Sequence, residues 1–152
     1  MGRDPKNEKG EASFTFWHVK ERELPAWKAL GWPARTIYFH LRRRCFTETA
    51  RKKASVKNNN GEVFASPRTL ADETGGNVKT MMAALADLQA KGWIVCTKQW
   101  ERGYDGRGRT ALFRFTMLET DKAMATRDPE RWTPDNDFPV EVYASHKPGK
   151  KI

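Results

Sequence analysis

Few of the residues that build covalent or metal-held scaffolds are present in this chain. Its 152 residues include two cysteines, Cys45 and Cys96, neither of them in a C-x-x-C pair. That spacing removes a disulfide framework and a thiolate zinc site, and it leaves both thiols as small core residues of a reducing compartment. His18, His40 and His146 share no ligand spacing with one another or with either cysteine, so no metal site is expected. No apolar run approaches the roughly 20 residues that a spanning helix needs. The opening MGRDPKNEKGEAS has no apolar leader core, so the expected location is the cytoplasm, away from membranes. A Walker-type phosphate loop and a dinucleotide loop are both missing. Asp72, Glu73 and Asp87 do not make a paired-metal set, so the chain is expected to be no enzyme and to carry no cofactor.

What is present in excess is positive charge. The formal net charge is +9, a balance that favours polyanions, nucleic acid before an anionic membrane surface. The excess is uneven: Arg35 to Lys57 holds eight basic residues against one acidic, whereas Glu119 to the end holds six against seven. Hydrophobic residues make up 38% and include six tryptophans, enough for the core of one domain of this length.

Residues 1–13 are polar and without period, and read as a flexible arm. A domain is expected over 14–118, followed by a partly irregular C-terminal extension over 119–152. Phe14 to Val19 reads as extended, and Pro25 to Leu30 as a short helix stopped by Gly31. Trp32-Pro33 opens a longer helix with an apolar stripe of Ala34, Ile37, Tyr38, Leu41 and Cys45, ending around Ala50 to Ala54. The run Lys57-Asn58-Asn59-Asn60-Gly61 predicts a turn, on the ground that Asn and Gly accept positive φ, and Glu62 to Ala65 a short strand. Beyond Leu118, Asp121 to Thr126 reads as a short helix and Pro139 to Tyr143 as a strand or an extended piece.

The informative stretch is Ser66 to Leu118. Ser66-Pro67 is a strong helix start, and Leu70 and Ala71 face inward. Thr74-Gly75-Gly76-Asn77 ends that helix and caps the next, Val78 to Lys91, whose Met81, Ala84, Leu85 and Leu88 share one face. Its outward face offers Lys79, Thr80, Met82, Ala83 and Ala86. Trp93 to Thr97 and Ala111 to Met117 read as strands. Between them KQWERGYDGRGRT makes a tight turn with four basic residues. Trp93 is expected in the core, and Trp100 and Tyr104 are expected to pack on the hairpin.

Thr74-Gly75, Asn77, Thr80-Met81, Ala84-Leu85, Leu88 and Gly92-Trp93-Ile94 resemble the second helix and first wing strand of winged helix-turn-helix domains. The frame Trp27 to Met117 is similar to the DNA-binding domains of bacterial, phage or plasmid replication initiators and related transcription regulators. The resemblance implies an α+β fold, with a three-helix core, a small antiparallel sheet and a β-hairpin wing. It also implies a helix that enters the major groove of double-stranded DNA.

On that frame Asn77, Lys79 and Thr80 are the candidate polar contacts to bases, and Met82 and Ala83 are candidates to touch a thymine methyl. Arg68, Lys98, Arg102, Arg107 and Arg109 are candidates for phosphate, with Arg107 or Arg109 reaching a minor groove. Arg42, Arg43, Arg51, Lys52 and Lys53 form a flanking patch. Three functions fit: a regulator of transcription or excision, the DNA-binding domain of a small replication initiator, and a winged helix that grips a protein partner. A homodimer is expected, since pairing doubles a short reading surface, with Phe14 to Trp32 and the basic helix as its interface.

Overall fold

The computed structural model describes residues 17–46, 57–64, 66–102 and 108–148, with the backbone alone for 102, 108 and 109. Among them the chain forms a small α+β domain with four α-helices and a three-stranded antiparallel sheet. A 3-10 helix, Val19–Glu23, leads into α1 (Pro25–Lys28) and α2 (Trp32–Arg42). Then come β1 (Val63–Phe64), α3 (Pro67–Thr74), α4 (Val78–Ala90), β2 (Ile94–Lys98), β3 (Glu101–Arg102), β4 (Gly108–Arg109) and β5 (Leu112–Phe115).

Local chemistry sets the starts and stops. Pro33 lies in the first turn of α2 and Pro67 in that of α3, where a missing N–H costs nothing. The Ser66 hydroxyl accepts from the Thr69 N–H at 3.5 Å, and the Asn77 Oδ1 from the Thr80 N–H at 2.8 Å. Each such cap stabilises its helix by about 1 kcal/mol. Gly75 closes α3 in the left-handed region, at φ 74°. One strand order, β1-β5-β2, follows from pairing Val63 with Phe113 and Ile94 with Phe115. The ladder slips between Cys96 and Lys98, and β3 and β4 then pair as a separate ribbon.

The helices pack on the sheet through an aromatic centre. Tyr38 meets Trp27, Trp93 and Phe115 edge-on, with centroids 5.3 to 5.5 Å apart. That geometry sets each ring edge against a neighbour's face. Trp93 is fully buried, and its indole N–H donates to the Ala26 carbonyl at 3.2 Å. Trp132 and Val142 join the same core, so residues after Leu118 pack on this domain rather than apart from it.

Several local expectations give way to tertiary partners. α2 ends at Arg42, short of the end expected around Ala50 to Ala54, and the Arg44 and Cys45 N–H groups close it with a tight turn onto Leu41 and Arg42. The Asn59 side chain then ties down the Arg44 carbonyl at 2.7 Å and the Phe46 N–H at 2.6 Å. The asparagines of the turn keep negative φ, and Gly61 alone there is positive. Their amides act as buried connectors: Asn60 binds both the Phe115 N–H and its carbonyl, with further bonds to the carbonyls of Leu118 and Glu119. Val19 opens a helical turn rather than closing a strand. Asp121 to Ala123 forms bends rather than opening a helix, and Pro139 to Glu141 makes no ladder before the chain bends at Val142 and at Tyr143, which is left-handed at φ 62°. Trp100 is exposed rather than packed. Phe14, Tyr104 and the arm 1–13 lie outside the described residues.

Candidate nucleic-acid interface

α4 divides into two unlike halves. A helix advances about 100° per residue, which puts Met81, Ala84, Leu85 and Leu88 on one side, all buried against α2, α3 and the sheet. Val78, Lys79, Met82, Ala83 and Ala86 point the other way. In the first two turns this outward side is open: Asn77, Val78 and Lys79 are exposed, and Thr80, Met82 and Ala83 are partly so. Ala86, expected on the open face, is fully buried, and so is Ala90.

The cover is the chain's own C-terminal segment, which crosses the second half of α4 as a strap. The Phe138 N–H donates to the Ala90 carbonyl at 2.8 Å. Gln89, itself buried, donates to the Val142 carbonyl at 2.9 Å and accepts from the Glu141 and Val142 N–H groups at 3.1 and 3.3 Å. On the far side Asp87 pairs with Lys91 and accepts the Gly31 N–H at 2.9 Å, fixing α4 to the start of α2. Buried polar groups left without partners cost about 1–3 kcal/mol each, so these bonds hold the strap in one place. Gln89 sits roughly 16 Å along the helix from Val78, at 1.5 Å per residue, and the strap leaves the Asn77 end clear.

The charged candidates other than Arg42 fall into three groups. Arg68 on α3, Lys79 on α4, Lys98 at the end of β2 and Arg43 after α2 are exposed. The backbones of Arg102 and Arg109 lie in the β3–β4 ribbon, Arg102 opposite Gly108 and Arg109 opposite Glu101. Arg51, Lys52, Lys53 and Arg107 lie outside the described residues. Asn77 keeps its amide N–H2 for other partners, but its carbonyl oxygen is engaged in the cap.

Arg42 leaves the proposed surface patch: it is 8% exposed. Its guanidinium donates to the Tyr38 hydroxyl at 3.2 Å and lies 5.7 Å from the Phe115 ring centroid. It works as an internal cation. Burial pushes the Glu21 carboxyl above the ordinary carboxylate range, with Arg42 opposing the rise. Burial likewise raises the Tyr38 hydroxyl and pushes the Cys45 thiol up to about 12. Arg44 is turned inward too, pairing with Glu73 and lying over Phe64.

Sequence reasoning missed Gln89, Asp87, Asn58 and Asn60 as buried polar connectors. A polar residue inside an apolar helical run, as at Asp87 and Gln89, was the one signal available. His40 Nδ1 stands 3.3 Å from Glu73 Oε2, and no group of three His, Cys, Asp or Glu among the described residues could hold a metal ion. No described helix is long and apolar enough to cross a membrane. No family model, curated protein or solved structure matches this chain.

Proposed function

We propose that this chain is a winged helix-turn-helix protein that binds double-stranded DNA without catalysis, as a regulator of transcription or excision. The observation that carries the reading is the open first half of α4. Its rear is docked on α3 and the core while Asn77, Val78 and Lys79 stand free, in a chain of net charge +9. On this reading α4 enters the major groove, the β3–β4 ribbon is the wing, and Arg68, Lys98 and Arg43 meet phosphates. The same surfaces suit the DNA-binding domain of a small replication initiator, because both classes use one scaffold. A homodimer belongs to the proposal. Of its expected interface, Trp17, Trp27 and Leu30 pack inside the protomer, whereas Val19 and Trp32 remain exposed.

Fluorescence anisotropy with a random-sequence 30-bp duplex at two salt concentrations tests the reading. Nearly all affinity arising from phosphates requires a steep loss at the higher salt, with a slope that falls by about one in each of Arg68→Ala and Lys98→Ala. Absence of binding at low salt would remove the DNA reading. The protein-partner alternative draws on Trp32, 77% exposed, and Trp100, 53% exposed, which suit an apolar interface.

A further inference from the structure

We infer that α4 recognises pyrimidine C5-methyl groups in the major groove, so that thymine, or 5-methylcytosine in its place, is its preferred base. The inference rests on the DNA reading above and deepens it. Ala86 and Ala90, in the half of α4 that the strap crosses, are fully buried, which confines reading to the first two turns. Within them the directional chemistry is sparse. The Asn77 oxygen and the Thr80 N–H satisfy each other at 2.8 Å, and Lys79 carries a point charge on a flexible stem, without the planar fork that discriminates guanine.

Beside the Asn77 amide N–H2 and the Thr80 hydroxyl, the rest of this open face is apolar and contiguous. Val78 is 38% exposed, and Met82 and Ala83, one turn further on, are partly exposed. Only one major-groove feature is apolar, the C5-methyl, and the groove otherwise presents donors and acceptors. Charge decides between DNA and a protein as the occupant. The helix end carries Lys79, Arg68 is exposed on the adjoining helix, and the chain's excess is +9, which complements phosphate on either side of a methyl-lined groove.

The test uses the full chain. Duplexes enriched by binding from a random library are remade with uracil for every thymine, and separately with 5-methylcytosine for cytosine. Affinities are measured by anisotropy at one fixed salt concentration. Uracil should weaken wild-type binding by about 4- to 15-fold, the effect of losing one or two buried methyls. Methylation of cytosine within the contacted positions should strengthen it by about 3-fold. In Met82→Ala the thymine-to-uracil ratio should fall toward one, whereas Lys79→Ala should weaken both probes equally. Thermal unfolding checks that each variant is folded.

Equal binding of thymine and uracil probes by the wild type overturns the inference and leaves DNA binding standing. A ratio that survives in both Met82→Ala and Val78→Ala assigns the methyl effect to DNA shape and also overturns it. If no duplex binds at low salt, the DNA reading fails and the inference fails with it.

Discussion

Replacing Gly92 with Ala perturbs two things at once, and the structure allows them to be separated. Gly92 joins α4 to β2 at φ 81°, a left-handed conformation that costs an L-residue about 1–2 kcal/mol. A Cβ there would also lie 2.7 Å from the Phe138 ring and 3.0 Å from the Asp128 Cβ. Phe138 belongs to the strap and Asp128 to the 3-10 turn that precedes it, and overpacking of this kind costs about 1–3 kcal/mol. Together the loss is about 3 kcal/mol, which lowers the melting temperature of a chain this long by roughly 10 °C. Gly75 supplies the control, since it has nearly the same φ, 74°, and nothing within 4 Å of its Cβ position. Gly75→Ala should therefore lose only the backbone part, about 1–2 kcal/mol. Urea and thermal unfolding followed by circular dichroism measure both. In a Phe138→Ala background the cost of Gly92→Ala should shrink toward that of Gly75→Ala. Equal destabilisation by the two glycine changes with Phe138 in place would refute the claim that the strap is packed on Gly92.

Three further outcomes follow from buried groups, and a fourth from the exposed Arg43. Glu21→Gln should stabilise the protein at neutral pH, because a carboxyl whose folded pKa is raised by burial disfavours folding once ionised. The gain should fade as the pH falls toward the ordinary glutamate value and the wild-type carboxyl takes up its proton; a gain independent of pH would contradict this. Cys45, with its thiol raised to about 12, should resist iodoacetamide at pH 8 in the native protein and react on unfolding; fast native labelling would show that the site is open. Arg42→Met should cost about 2 kcal/mol of stability by leaving the Tyr38 hydroxyl without its donor and, on the proposed DNA reading, should leave DNA affinity unchanged within about twofold. Arg43→Ala should do the reverse, lowering DNA affinity and leaving the melt in place, and matching losses of affinity in both would return Arg42 to the surface patch.

The candidate site was half legible before the structure. Lys79, Met82 and Ala83 could be placed on the outward face of a helix because Met81, Ala84, Leu85 and Leu88 fix which side is inward. The same periodicity puts Ala86 on the surface, and the basic run puts Arg42 there, yet both are buried. Periodicity identifies the side of a helix that faces the core, but it carries no information about a second layer laid over the other side. For Arg42 the misreading came from charge: an arginine in a basic run reads as solvated, although its partners, Tyr38 and Phe115, include one from a distant strand.

Short-range chemistry in the sequence determined α3, α4, their caps at Ser66 and Asn77, and the strands on either side of the ribbon. Each of these needs only neighbours within a turn or an alternation of two. Tertiary structure alone decided the early end of α2, the buried amides of Asn58, Asn60 and Gln89, and the strap that shortens the open face of α4. Those features depend on bonds between groups far apart in the chain, such as Asn60 to Phe115 and Gln89 to Val142. A polar side chain does not announce whether water or a distant backbone will satisfy it, and that choice exists only once the core has brought the two together.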